Sequence, residues 1–213
     1  MISLLHPSRG RVEKAYSTYK NWFGKANGIM FGYVLSLDLN DPVHSKYTVI
    51  CDHLKSTLIL DNNSVVEATN KAAKESTGDI LVYLSDDFDC PDDWANKIIE
   101  RTKNLGDVWL LKVDDCLQDF NVPVLTIPIM SRGLYEKLGY FWHPGYKSMW
   151  VDCDLYETAK RIGAIHYAQD LKFPHHHHSL GKCENDDTYK RSEKNWNQGL
   201  AVFNERKRLN FPI

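Results

Sequence analysis

The apolar run Ile80-Leu81-Val82-Tyr83-Leu84 is followed, after one serine, by Asp86-Asp87-Phe88-Asp89. The run is rich in β-branched and aromatic residues and predicts a buried strand. Three carboxylates at the mouth of such a strand repel one another unless something cationic lies between them. A hard divalent ion with oxygen ligands, shared with a substrate's phosphates, is the natural candidate. The plainer use is an acidic loop leading into the helix that Pro91-Asp92-Asp93-Trp94 announces.

The same change from strand to helix recurs along the 213 residues. Ile2 to Leu5 reads as a first strand, ended by His6-Pro7-Ser8-Arg9-Gly10-Arg11, after which Val12, Tyr16, Tyr19 and Phe23 recur at helical spacing. Tyr33 to Leu37 reads as a second strand, closed by Asp38, Asn40, Asp41 and Pro42, and Thr57 to Leu60 as a third. Ser64 with Glu67 makes a capping box for a helix that stops near Gly78. A helix around Trp94 to Thr102 follows, then strands at Trp109 to Val113 and Leu125 to Ile129. The charged tail Asp187 to Arg208, apolar at Tyr189, Trp196, Leu200 and Phe203, predicts an amphipathic helix packed back on the sheet, its Lys and Arg a solvated face. This pattern predicts one α/β domain: a mostly parallel central sheet, helices on both faces and a C-terminal helical segment. Ligands of such sheets gather at the carboxyl ends of the strands. Asp38, the acidic cluster and the Pro7 to Arg11 loop all lie there.

A formal charge of -2 gives no general attraction to nucleic acid or anionic membranes. No apolar stretch is long enough to span a bilayer, and Met1 to Leu5 is too short for a signal-peptide core. Five scattered cysteines without a Cys-x-x-Cys pair read as reduced thiols. A soluble cytoplasmic protein is expected.

Further groups carry chemistry. Arg9 and Arg11 stand beside a helix start, which suits phosphate. No Gly-x-x-x-x-Gly-Lys or Gly-x-Gly-x-x-Gly turn occurs. Asp152 and Asp154 open a helix ending at Arg161-Ile162-Gly163, where carboxylates also serve the helix dipole. Around them Tyr140, Phe141, Trp142, Tyr146 and Trp150 read as a wall on which sugars or bases stack, or as a buried aromatic core. His175-His176-His177-His178 is too crowded for all four rings to reach one ion.

In order, these stretches resemble the motifs of a small GT-A glycosyltransferase of the family 2 type, over most of the chain. His6-Pro7-Ser8-Arg9-Gly10-Arg11 resembles the nucleotide-binding loop after the first strand. Ser85-Asp86-Asp87-Phe88-Asp89 resembles the Asp-x-Asp motif, and Val151-Asp152-Cys153-Asp154-Leu155 the Glu-Asp-x-x-Leu segment that carries the catalytic base of inverting members. Val151 stands in place of that Glu, so the base is open between Asp152 and Asp154. His175-His176-His177 ahead of Gly181-Lys182 resembles a His-x-His segment that adds a metal ligand.

The resemblance implies a GT-A-like, Rossmann-like fold. Residues 1–115 would form the nucleotide-sugar-binding half, and residues 116–213 the acceptor-binding half with the C-terminal helix. It implies a nucleotide diphosphate sugar, most commonly UDP-linked, bound by Pro7, Ser8, Arg9, Arg11, Asp38, Asn62, Asn63, Asp86, Asp87 and Trp150. It implies Mn²⁺ or Mg²⁺ on Asp87, Asp89, His175 and His177. The acceptor is left open among glycan, lipid, protein and a modified DNA base. Two rival readings stand beside it: a nucleotidyltransferase, and a non-catalytic module binding glycan or nucleotide.

Overall fold

In the computed structural model, which describes residues 1–47, 57–181 and 183–213, seven strands form one sheet among the described residues. They are β1 (Ile2–Ser8), β2 (Phe31–Asp38), β3 (Thr57–Asn62), β4 (Ile80–Tyr83), β5 (Leu110–Asp114), β6 (Ile129–Ser131) and β7 (Ile165–Lys172). The helices are α1 (Val12–Gly24), α2 (Val65–Glu75), α3 (Trp94–Thr102), α4 (Arg132–Leu138), α5 (Val151–Arg161), α6 (Asp187–Glu193) and α7 (Trp196–Arg208). The order across the sheet is β3-β2-β1-β4-β6-β5-β7. β6 runs antiparallel to both neighbours, and the other pairings are parallel.

Both faces of the central strands are buried, which is why those strands read as continuous apolar runs. Alternate residues point to opposite faces. Leu4, Leu35, Val82 and Leu111 join a core with Trp22 of α1 and Trp94 and Ile98 of α3. Leu5, Val34, Leu81 and Leu110 join a second core with Ala72 of α2, Leu134 of α4 and Leu155 and Ala159 of α5. The predicted capping box is in place, with the Ser64 hydroxyl accepting from the Glu67 amide. Glu67 returns the bond to the amide of Asn63, one residue before the cap.

Three sequence expectations need correcting. The first strand does not stop at Leu5 but runs on through His6, Pro7 and Ser8, in register with Leu35, Ser36 and Leu37. Pro7 is tolerated because pairing with β4 ends at Leu5, leaving the strand a neighbour on one side only. The strand expected at Leu125 to Ile129 is instead Ile129–Ser131. Leu125 and Ile127 are buried as irregular chain between Pro123 and Pro128, which gives the run its apolar pattern without a ladder. The tail is two helices, α6 and α7, with the break at Lys194 and Asn195. Among the described residues no helix is long and apolar enough to cross a membrane.

Candidate active site

The chain runs outward from β1 through β2 and β3, then returns to place β4 on the other side of β1. This reversal opens a crevice between the loops that follow β1 and β4. A cavity of about 520 Å³ lies there. Its lining includes Pro7, Ser8, Arg9, Arg11, Asp38, Asn63, Asp86, Asp87, Trp150, Asp152, His175 and His177. Asn62, Asp89 and Asp154, though expected, do not line it.

Adjacent carboxylates from the β4 loop face different surroundings. Asp86 is turned toward β1, where His6 Nε2 lies 3.0 Å from Oδ1 and the Ser8 hydroxyl 2.9 Å from both oxygens. Tyr33, 2.7 Å from His6 Nδ1, and Tyr47, 2.9 Å from Ser8 Oγ, extend the network. Asp87 Oδ2 lies 3.2 Å from His175 Nε2 and accepts a hydrogen bond from the Tyr189 hydroxyl. Burial alone would raise the Asp87 pKa, but the His175 and Tyr189 contacts override it and hold the carboxyl below its ordinary range.

The segment 174–176 reaches this loop through backbone bonds. Asp89 N–H donates to the Pro174 carbonyl at 2.9 Å and His176 N–H to the Asp87 carbonyl at 2.8 Å. Asp87 Oδ1 and His175 Nδ1 are buried without a protein partner. The orphaned Asp87 oxygen is a position that a hard divalent cation would satisfy, although among the described residues no three His, Cys, Asp or Glu side chains are gathered into a metal site. His177 also lines the cavity, and burial, with the charges of His175 and His178, pushes it down to about 4. At neutral pH it is an uncharged imidazole.

The residues that miss the cavity do so for clear reasons. Asp89 points to α1, where Lys25 Nζ lies 2.9 Å away and the Cys90 amide 2.8 Å. Asn62 turns inward, its amide on the Leu37 carbonyl at 2.6 Å, tying β3 to the end of β2. Asp154 is 1% exposed and locked by Arg206 Nε at 2.5 Å and the Tyr146 hydroxyl at 2.9 Å. Arg206 is therefore a buried partner and not part of a solvated face.

Asp152, one position after the start of the same helix, lines the cavity and, among the described residues, accepts local bonds, from the Cys153 amide at 2.9 Å and the Cys153 thiol. Burial, reinforced by the charge of Asp115 and only partly offset by the local hydrogen bonds, raises its pKa above the ordinary carboxylate range. The loop before it is held in an unusual shape. Trp150 has φ 73°, a left-handed conformation rarely adopted by a bulky residue. Helix α7 presses on that loop at Gly199, where any Cβ would lie 2.2 Å from the Met149 carbonyl oxygen. Of the expected aromatic wall, Phe141, Trp142 and Tyr146 are core residues and Tyr140 and Trp150 pack partly buried against them; Trp142 and Trp150 also line the cavity.

The arginines of the first loop are already engaged. Arg9 lies 2.9 Å from Asp38 and 2.6 Å from Asn40 Oδ1. Arg11 makes two bonds of 2.7 Å to Asp186, and its guanidinium sits 4.3 Å over the Tyr189 ring. Burial opposes the Arg11 charge, but Asp186, Asp86 and Asp87 outweigh it and raise its pKa. Sequence reasoning missed the source of these contacts. Helix α6, read as part of one amphipathic helix whose Lys and Arg form a solvated face, brings Thr188, Tyr189 and Arg191 to the cavity, with Arg191 3.1 Å from Asp38. The available signal was the Asp186-Asp187-Thr188 start of a capped helix, which says where a helix begins but not what it docks on.

No family profile and no curated protein sequence matches the chain. Solved structures do match. Staphylococcus aureus TarS superposes with a TM-score of 0.64 at 13% identity, over 82% of this chain and 60% of that one. The mannosyltransferase PcManGT from Pyrobaculum calidifontis, solved with GDP-Man and Mn²⁺, gives 0.62 at 16%, over 81% and 56%. Glucosyl-3-phosphoglycerate synthase from Mycobacterium tuberculosis, solved with Mn²⁺, UDP and phosphoglyceric acid, gives 0.62 at 15%, over 85% and 73%. The chain thus spans well under two thirds of the length of the first two. With the sheet order, these likenesses establish the GT-A fold that the loops resembled.

Proposed function

We propose that the chain is a metal-dependent glycosyltransferase that moves a sugar from a nucleotide diphosphate sugar of the UDP-linked kind to an acceptor hydroxyl with inversion. The observation that carries the reading is one cavity at the sheet's reversal point with two unlike carboxylates. Asp87, from the β4 loop, offers a bare buried oxygen. Asp152, from α5, has a raised pKa and no cationic partner among the described residues. The fold adds support, since structures that share it were solved with UDP, UDP-GlcNAc or GDP-Man, and some with Mn²⁺.

Residues 1–115 would hold the nucleotide and residues 116–213 the acceptor, with α6 crossing back to the nucleotide side. Asp87, with His175 and His177, would hold Mn²⁺ or Mg²⁺. Mixed oxygen and imidazole ligands favour Mn²⁺. When bound, such an ion supplies Lewis-acid stabilisation of charge on the leaving diphosphate. The chain's own residues supply the rest. Arg9, Arg11 and Arg191, paired with Asp38 or Asp186, would turn positive charge toward the diphosphate. Asp38 and Asn63 line the end of the cavity where the base would lie, and Ser8 and His6 hold Asp86 at the ribose. Trp142 and Trp150 line the cavity where the sugars would lie.

Asp152, ionised, accepts the acceptor's hydroxyl proton as that oxygen bonds to the anomeric carbon. The bond from that carbon to the diphosphate oxygen breaks, and its electron pair leaves with the nucleoside diphosphate.

Calorimetric titration with UDP, with and without Mn²⁺, tests the site. Product analysis with a panel of UDP- and GDP-sugars tests the reaction. UDP binding that needs Mn²⁺ and is lost in Asp87→Asn is expected. Release of pyrophosphate would favour nucleotidyl transfer, and binding without turnover of any sugar nucleotide would leave a binding module.

A further inference from the structure

Helix α6 lies far from the β4 loop in sequence, has no buried residue, and yet supplies cavity contacts. It is therefore held by its polar contacts with the site and adds nothing to the core. We propose that Tyr189 of this helix is a positioning residue that aims the Asp87 carboxylate, and that the Arg11–Asp186 pair holds it in place. The proposal rests on the reading of Asp87 as a cation ligand.

Asp87 is 6% exposed at its side chain, so the direction of each oxygen matters. Oδ2 takes the Tyr189 hydroxyl and faces His175 Nε2 at 3.2 Å, the Ser85 hydroxyl also acts on this carboxylate, and Oδ1 has no hydrogen-bond partner among the described residues. Turning the carboxylate would break both contacts at Oδ2. Their joint effect is to keep Oδ1 facing one way.

Tyr189 is fixed in turn. Its ring lies 4.3 Å under the Arg11 guanidinium and 4.9 Å, edge-on, from the His177 ring. Asp186, which receives Arg11 through both oxygens, also accepts from the backbone amides of Thr188 and Tyr189 at 3.1 and 3.2 Å. One carboxylate thus caps the turn that carries Tyr189 and ties that turn to the β1 loop. The Thr188 hydroxyl adds a bond of 3.0 Å to the Arg9 carbonyl. Groups that orient a metal-binding carboxylate without touching the ion typically contribute tenfold to a hundredfold to metal affinity.

The test is titration of Mn²⁺ in the presence of UDP, read by calorimetry and by the electron paramagnetic resonance signal of free Mn²⁺. The wild-type chain, Tyr189→Phe, Asp186→Asn, the double variant and Asp87→Asn are compared. Tyr189→Phe keeps the ring against Arg11 and His177 and removes one hydroxyl. It should weaken Mn²⁺ by roughly tenfold to a hundredfold with an unchanged melting temperature. Asp186→Asn should weaken it too, and the double variant should fall short of the sum of the two losses. Wild-type Mn²⁺ affinity in Tyr189→Phe would overturn the proposal, and so would tighter binding, which would mean that the phenol competes with the ion. Wild-type affinity in Asp87→Asn would overturn the cation site itself, whatever Tyr189→Phe does.

Discussion

Asp152 and Asp154 lie two positions apart in the first turn of α5, and the fold gives them opposite surroundings. Asp154 is neutralised and sealed, whereas Asp152 opens on the cavity with its pKa raised by burial. On the proposed reading Asp152 is the base, and a base must be ionised to act, so kcat/KM should rise with pH as it loses its proton. That acid limb should lie above the ordinary aspartate value of about 4. Asp152→Asn should cut kcat by roughly 10²–10⁴-fold while leaving UDP affinity near wild type, and should abolish the limb. Turnover and calorimetry on the one variant check both; a persisting limb would place the base elsewhere. The sequence could not separate the two aspartates. What separates them is Arg206, 52 positions beyond Asp154 and read as part of a solvated face. A long-range pair of this kind leaves no local periodicity.

Among the elements, α5 and α7 are joined by that same ion pair beneath the Tyr146 hydroxyl. Removing one partner strands the other in a poorly solvated site, at a cost of about 3–5 kcal/mol. Arg206→Leu should lose stability on that scale in urea unfolding, and Arg206→Leu with Asp154→Leu should recover much of it; a loss below about 1 kcal/mol would mean that water reaches Asp154. The elements legible in the sequence were those whose pattern follows from burial, such as β4 and α2 with its capping box. β7 was missed because its outer positions are exposed and its alternation is weak. The tail was read as one helix because Tyr189 and Trp196 keep an apolar spacing across the break at Lys194 and Asn195.

For the molecule as a whole, the carboxyl ends of parallel strands had to meet, so the sequence was enough to gather the Pro7, Asp38 and Asp86 loops at one edge of the sheet. It could not show which side chains would turn away once there. Asp89 left for Lys25, and Asn62 for the Leu37 carbonyl. Nor could it show that the last quarter of the chain closes the cavity, because that closure relies on charge pairing across 175 positions, from Arg11 to Asp186.

A closure of that kind answers to the ionic atmosphere. Debye lengths shrink from about 10 Å in 0.1 M salt to about 3 Å in 1 M, while apolar packing is not weakened. Amide hydrogen exchange across 186–194 should therefore quicken in concentrated sodium chloride while β1 and β4 stay protected. Equal protection at both salt concentrations would mean that something other than charge holds the arm down.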